Sequence, residues 1–205
     1  MTDTTTTTTN HRSARKRVIA LLAVAGVVAA GVVIWRVVGE EARTVPYEDA
    51  QSAGLLTLCS ADGKAVTGGK VKDRPFADLA VGASGVPAVY DPAGAVATLF
   101  AYQPRQGIAT NEFSGVPLTA AAALVDPEHP AVTVTEDVWS VADFVSAFPA
   151  TLDGYVQLRL VLGTPAAGTL TEDPYDTADI RVDGDSWELV RGGTASCSDA
   201  SALVQ

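Results

Sequence analysis

The hydrophobic pattern of the chain begins with one long apolar run near the N-terminus. Residues 18–35 carry no charged side chain, and a helix of that length spans about 27 Å, close to the thickness of a membrane's hydrocarbon core. Trp35 suits the membrane interface, and Arg36 can extend its charge to the headgroups. The pattern therefore predicts a transmembrane signal-anchor helix over residues 18–38. The threonine-rich residues 1–17 predict a disordered tail.

The charges beside this run predict its orientation. Four basic residues and one acid precede residue 18, and positively charged flanks stay on the cytoplasmic side. We therefore expect a single-pass cell-membrane protein with a cytoplasmic N-terminus and an extracytoplasmic C-terminal part. The alternative is a secretory signal peptide that is cleaved near Ala30, where small residues follow the apolar run. Retention is favoured because cleavage there would leave an apolar new N-terminus, and both alternatives export the remainder.

Beyond the apolar run the pattern changes to short hydrophobic segments separated by Gly, Pro, Asp and Asn. Residues 39–52 are polar and predict a stalk, and residues 53–205 have the size of one domain. Many short apolar segments with frequent turn residues are typical of an all-β sandwich. The predicted strands lie at 54–60, 95–103, 116–125, 131–135 and 155–162, and on both sides of Asp183-Gly184.

Three segments give more specific predictions. Residues 155–162 alternate aliphatic side chains with Tyr, Gln and Arg, which is the period of a strand. Residues 95–103 are apolar on both faces, which favours a central strand. Asp183-Gly184 lies between two β-like segments and predicts a hairpin turn.

One short helix is predicted after residue 139. Ser140 and Asp143 have the spacing of a capping box, and apolar residues recur at helical spacing until Pro149. The following TLDGYVQLRL resembles the approach to the sixth strand of immunoglobulin-like and fibronectin-type sandwiches. That resemblance implies an immunoglobulin-like sandwich in which Tyr155 is the corner tyrosine.

The charge of the exported part limits its partners. Residues 36–205 contain 10 Lys and Arg against 23 Asp and Glu, a net charge of 10 − 23 = −13. A broad basic surface is what nucleic acids and anionic lipids require, so we expect no nucleic-acid partner. The two cysteines, Cys59 and Cys197, lie near opposite ends of the exported part, and in an oxidising compartment they predict a disulfide.

The sequence offers no catalytic centre and no cofactor site. The exported part has one histidine, His129, and no serine in a nucleophile motif, so no catalytic residue is assigned and an enzyme is not favoured. Zinc would need several clustered Cys or His residues, so no metal site is predicted. Acids in residues 172–188 leave calcium binding open, and the many carboxylates leave glycan chemistry open.

The segment FAYQPRQGIATNEFSG, residues 100–115, is the candidate ligand-binding loop. It combines aromatic rings, planar amides and an arginine, the residue types that bind sugars, peptides or carboxylates. The alternative is that these side chains cap the core and pair with local acids. The candidate residues are Tyr102, Gln103, Arg105, Gln106, Asn111 and Phe113.

The phrases AYQPRQG, DGYVQLRLVLGTP and ADIRVDGDSWELV resemble single-pass membrane proteins of high-GC actinobacteria. The resemblance implies an envelope location and transfers no catalytic residue. We expect a membrane-anchored extracytoplasmic binding or structural protein, with an envelope protein or a glycan as partner. The alternatives are a carboxylate-based glycan-active enzyme or its accessory subunit, and an adhesion or assembly module that uses sheet edges or an apolar patch.

Overall fold

The structure is a computed structural model that describes residues 44–204. The predicted tail, the predicted span 18–38 and residues 39–43 of the predicted stalk lie outside the described residues. Within residues 44–204, the helices are all too short or too polar to cross a membrane.

The described part is mostly β-structure with one short α-helix, as the sequence predicted. The helix α1 spans Val141–Ala147, and two 3₁₀ helices span Thr110–Glu112 and Ala200–Leu203. The strands are β1 (Ser52–Leu55), β2 (Thr57–Cys59), β3 (Gly68–Lys70), β4 (Leu79–Val81), β5 (Val96–Gln103), β6 (Ser114–Pro117), β7 (Ala122–Ala123), β8 (Ala131–Thr133), β9 (Tyr155–Thr164), β10 (Gly168–Thr169), β11 (Tyr175–Asp183) and β12 (Ser186–Arg191).

The strands form two sheets that share one hydrophobic core. The main sheet has the order β3-β12-β11-β9-β5-β6, with β1 parallel to β11, β10 beside β9 and β7 beside β5. The small sheet has the order β2-β4-β8. Leu99 and Leu158 of the main sheet lie in the same core as Leu58 and Val132 of the small sheet. The all-β class is therefore confirmed, with two sheets arranged like those of a sandwich, and the immunoglobulin-like assignment stays a prediction.

The central strands are the ones with the clearest sequence patterns. Strand β5 lies between β9 and the short strands β6 and β7, as its apolar faces predicted. Strand β9 places its alternating aliphatic residues in the core, where Leu158 and Leu160 are almost fully buried. Its polar side chains lie on the opposite face, which we call the outer face of the main sheet.

Two local predictions are confirmed in detail. The Asp183-Gly184 turn joins β11 to β12, with Asp183 paired to Ser186 and Gly184 at φ +57°, a conformation that glycine adopts easily. Helix α1 is capped by Ser140, whose hydroxyl accepts the Asp143 backbone N–H at 3.2 Å. The Asp143 carboxylate accepts the Ser140 N–H at 2.8 Å. This is the predicted capping box.

Two predicted strands are each divided in the structure. The segment 54–60 supplies β1 to the main sheet and β2 to the small sheet, so the chain changes sheets at the buried Leu56. The segment 116–125 supplies β6 and β7, separated where the Thr119 hydroxyl accepts the Leu99 N–H at 3.0 Å. Alanine has a low strand propensity, which is consistent with a short β7 in an alanine-rich run.

The predicted disulfide between Cys59 and Cys197 is present, with the two Cα atoms 5.5 Å apart. It joins β2 to the segment before the last 3₁₀ helix across a sequence separation of 138 residues. In the loop-entropy model, closure of a loop of that length stabilises the folded state by about 5 kcal/mol. The bridge therefore fixes the C-terminal segment to the small sheet.

Candidate functional site

The outer face of the main sheet carries polar side chains that are as buried as the core. Gln157 and Arg159 of β9 and Thr177 and Asp179 of β11 are each at most 4% exposed. Alternation in the strands directs these residues away from the core, so another part of the chain must cover them. The contacts described below show that the cover consists of residues 44–51 and the candidate loop.

Arg159 is the centre of this face. Its guanidinium lies 4.0 Å from the ring centroid of Tyr102 and 4.6 Å from that of Tyr175, and the Phe113 ring is 5.9 Å away. Cation–π attraction is strongest where the cation is desolvated, and Arg159 is 4% exposed. Residues from β5, β11 and the candidate loop are thus held to one charged group.

The polar contacts of Arg159 extend to the N-terminal segment. Its Nε donates to Gln157 Oε1 at 2.7 Å, and an Nη2 hydrogen goes to the Thr110 carbonyl at 2.8 Å. The Asp49 carboxylate forms an ion pair with Arg159, with Oδ2 3.9 Å from Nη2. The same Oδ2 atom accepts a hydrogen bond from Gln157 Nε2 at 3.1 Å, and the Tyr175 hydroxyl donates to it at 3.2 Å. We call these five residues, Asp49, Tyr102, Gln157, Arg159 and Tyr175, the arginine cluster.

A second buried cluster lies beside the first. Asp179 accepts a hydrogen bond from the Tyr47 hydroxyl and another from Arg191 Nε at 2.6 Å. Burial raises the pKa of Asp179, opposed by the Arg191 guanidinium. Burial also raises the pKa of Tyr47, and the Asp179 carboxylate raises it further, so Tyr47 stays a hydrogen-bond donor. Arg191 Nη2 is buried without a hydrogen-bond partner among the described residues.

The N-terminal segment 44–51 is tied to both clusters. Its exposure alternates along the chain, with Tyr47 and Asp49 turned towards the sheet and Glu48 towards solvent. The Tyr47 ring makes edge contacts with Phe113 and Tyr155, at centroid distances of 5.5 and 6.5 Å. Residues 44–51, which the sequence assigned to the stalk, therefore cover the outer face.

The structure brings together two of the six predicted binding residues. Tyr102 and Phe113 both face Arg159, and Tyr102 also stacks on Phe100 with centroids 6.0 Å apart. The Tyr102 ring lies against Gly115, where an added Cβ would come within 2.5 Å of the ring. The aromatic residues of the loop thus pack against the sheet.

The other four predicted residues lie apart. The Gln103 side-chain amide donates to the Pro149 carbonyl at 2.5 Å, and Arg105 Nη2 donates to the Glu112 carbonyl at 2.8 Å. Gln106 and Asn111 are exposed. The side-chain amides of Gln106 and Asn111 are therefore accessible to solvent.

Sequence reasoning missed Asp49, Gln157, Arg159, Tyr175 and the Tyr47–Asp179–Arg191 cluster. For Gln157 and Arg159 a sequence signal existed, because these two residues interrupt an otherwise aliphatic strand at alternate positions. Their burial could not be inferred, because their cover comes from residues about 50 and 110 positions earlier in the chain.

The acidic segment 172–188, for which calcium binding was left open, is engaged by protein groups. Asp173 accepts from the Tyr90 hydroxyl at 2.8 Å, and Asp176 Oδ2 accepts the backbone N–H groups of Ala83 and Ser84 at 2.6 and 2.8 Å. The Asp176 Oδ1 atom is buried without a hydrogen-bond partner in the described part. In residues 44–204 the His, Cys, Asp and Glu side chains form no group of three that could hold a metal ion.

No protein-family model matches the chain, and neither a curated protein nor a solved structure is significantly similar to it.

Proposed function

We propose that this protein is a membrane-anchored extracytoplasmic protein of the cell envelope that acts by binding or as a structural component. The observation that carries the proposal is the Cys59–Cys197 disulfide, which joins two distant parts of the domain. Disulfides persist in oxidising compartments and are rare in the cytosol. The bridge is therefore consistent with export directed by residues 18–38.

The packing of the domain favours binding or a structural role over catalysis. The acids that are brought close together on the outer face, Asp49 and Asp179, have side chains with no exposed surface. They hold neighbouring segments through hydrogen bonds from Tyr175, Tyr47 and Arg191. A glycan-active enzyme would need two accessible carboxylates across a cleft, so this alternative receives no support from these two acids.

The proposed binding surface is the exposed part of the loop 100–115. Gln106 and Asn111 present amide groups to solvent. The contacts of Tyr102 and Phe113 with Arg159 hold the loop against the main sheet. A preordered loop loses less conformational entropy when it binds. An envelope protein or a glycan would bind through hydrogen bonds to these amides.

The immunoglobulin-like assignment is part of the same proposal. It rests on Tyr155, which begins β9, is buried and contacts Tyr47 edge to face. Cleavage near Ala30 remains the alternative for the anchor, and it would release the same domain outside the cell.

The experiment that tests this proposal locates the protein and its partner in intact cells. The full chain is expressed in an actinobacterial host with a photo-crosslinking amino acid at Gln106 or Asn111, and at the exposed Glu188 on β12 as the matched control. The proposal predicts alkali-resistant membrane association, digestion by protease added outside spheroplasts, and crosslinks from the loop positions that the control lacks. Protection from external protease would contradict export, and equal crosslinking at Glu188 would contradict binding by the loop.

A further inference from the structure

Two free strand edges border a groove at one side of the sandwich, which we call the edge groove. Strand β7 lies at the edge of the main sheet beside β5, and β8 lies at the edge of the small sheet beside β4. The groove encloses about 270 Å³, and eight of its ten lining residues are alanine or threonine. Small side chains leave the main chain of both edges accessible.

The main-chain groups along these edges are aligned for pairing. The Val134 N–H donates to the Asp78 carbonyl at 2.9 Å, and the Gly82 N–H donates to the Pro130 carbonyl at 2.8 Å. Bonded and non-bonded residues alternate in an antiparallel ladder, so the N–H and C=O of Thr133 point away from β4. Thr133 is exposed, and within residues 44–204 these two groups make no hydrogen bond.

The opposite edge has the same arrangement. The Leu124 N–H donates to the Ala95 carbonyl at 2.9 Å, so the neighbouring Ala123 directs its N–H and C=O away from β5. Ala123 is exposed and lines the groove. Unpaired edges of this kind accept an added strand, which is bound by main-chain hydrogen bonds.

The charge around the edge groove selects the partner. The segments that flank β8, residues 124–130 and 134–139, contain four Asp and Glu and no Lys or Arg. Glu128 precedes β8, and Glu136 and Asp137 follow it, all exposed. A strand that extends beyond both ends of the groove would meet negative charge at each end, so complementarity favours basic flanks.

We propose that the edge groove binds an extended polypeptide segment with small or β-branched residues at its centre and Lys or Arg at its ends. The segment adds to β8 through the main-chain groups of Thr133 and packs against Ala123 on the opposite edge. The inference rests on the proposed binding role, for which it names a partner class and a surface separate from the loop 100–115.

The test measures binding of a synthetic peptide to the full chain in detergent by isothermal titration calorimetry. The probe is acetyl-KTVAVTK-amide, and the controls are the same peptide with alternate backbone amides N-methylated and a peptide with glutamate in place of both lysines. We expect saturable micromolar binding of the probe and loss of at least about tenfold in affinity for the N-methylated peptide, which lacks the pairing donors.

Two variants test the location. Thr133→Pro removes the edge N–H at a position that faces away from β4, where proline is tolerated, and we expect about tenfold weaker binding because a main-chain bond is lost. The double variant Glu136→Lys and Asp137→Lys should weaken binding of the lysine-flanked peptide at low ionic strength. The effect should be smaller in about 0.5 M salt, because salt screens interactions between exposed charges. The matched control is Glu172→Lys with Glu188→Lys, the same charge change at exposed positions elsewhere, which we expect to weaken binding less.

Each outcome separates this inference from the proposed function. Absence of saturable binding, or equal affinity for the N-methylated peptide, overturns the inference. Self-association of the full chain that Thr133→Pro abolishes would make a second copy the occupant and also overturn it. If the peptide titration and the variants both fail while Gln106 or Asn111 still forms crosslinks in cells, the proposed function stands and only this inference is lost. If Thr133→Pro does not form the disulfide, the charge-reversal pair decides the location.

Discussion

Replacement of Arg159 by lysine tests whether the arginine cluster holds the outer face together. Lysine keeps the charge but replaces the planar guanidinium by a single ammonium group. The variant loses the Nε bond to Gln157, the Nη2 bond to the Thr110 carbonyl and the stacking on Tyr102 and Tyr175. A hydrogen bond to a charged group contributes about 1.5–3 kcal/mol, and a desolvated cation–π contact contributes about 2 kcal/mol.

Lysine can restore part of these contacts, so we expect the free energy of unfolding to fall by about 3 kcal/mol. For a domain of this size the corresponding decrease in Tm is about 6–12 °C. The assay is urea unfolding of residues 39–205 with the disulfide intact, followed by tryptophan fluorescence. The matched control is Arg181→Lys on β11, because Arg181 is exposed and its Nε donates only one bond, to the Asp153 carbonyl at 3.1 Å.

The same variant should loosen the N-terminal segment. Asp49 is held by groups that surround Arg159, so Arg159→Lys is expected to speed cleavage by a glutamate-specific protease after Glu48. The reasoning is refuted if Arg159→Lys and Arg181→Lys differ by less than about 0.5 kcal/mol, the usual effect of a surface substitution. It is also refuted if Arg159→Lys lowers the free energy of unfolding but cleavage after Glu48 proceeds at the wild-type rate.

The remaining predictions concern packing, the disulfide and pH. Gly115→Ala places a Cβ 2.4 Å from the Ala101 carbonyl and should lower the free energy of unfolding by about 1–3 kcal/mol, measured by urea unfolding; no change would show that the sheet relaxes freely. Replacement of both disulfide cysteines by alanine should cost about 4–5 kcal/mol in the same assay, and a loss below about 1 kcal/mol would contradict the cross-link's role. The Ser140 hydroxyl, the Ser140 backbone N–H and Arg74 hold the pKa of Asp143 below its usual range. Asp143 therefore stabilises the fold above its unfolded pKa of about 3.9 and loses that effect as the pH falls through the lower folded pKa. The difference in free energy of unfolding between wild type and Asp143→Asn should therefore shrink as the pH falls below about 3.9. A constant difference down to a pH of about 2 would contradict this linkage.

The features that could be predicted from sequence are those determined by nearby residues. The capping box depends on two residues three positions apart, and the β11–β12 hairpin depends on one Asp-Gly pair. The alternating residues of β9 indicated which side chains enter the core because a strand has a period of two. Each of these signals lies within one element.

The candidate site was harder to predict because distant segments form it. Asp49 reaches Gln157 across 108 positions, and Thr110 reaches Arg159 across 49. The polar composition of residues 39–52 predicted a stalk, and the contacts of Tyr47 and Asp49 with the main sheet became apparent only in the folded chain. Tyr102 and Phe113 were identified by residue type, and their shared partner Arg159 became apparent only in the folded chain.

The central claim is that this domain is exported and closed by an oxidised cysteine pair. The most direct measurement is thiol trapping of the full chain in living cells, with rapid acid quench, alkylation under denaturing conditions and mass analysis of the Cys59 and Cys197 peptides. The account predicts that neither cysteine is alkylated until a reductant is added, and that a single cross-linked peptide carries both. Alkylation of both cysteines without reductant would contradict it.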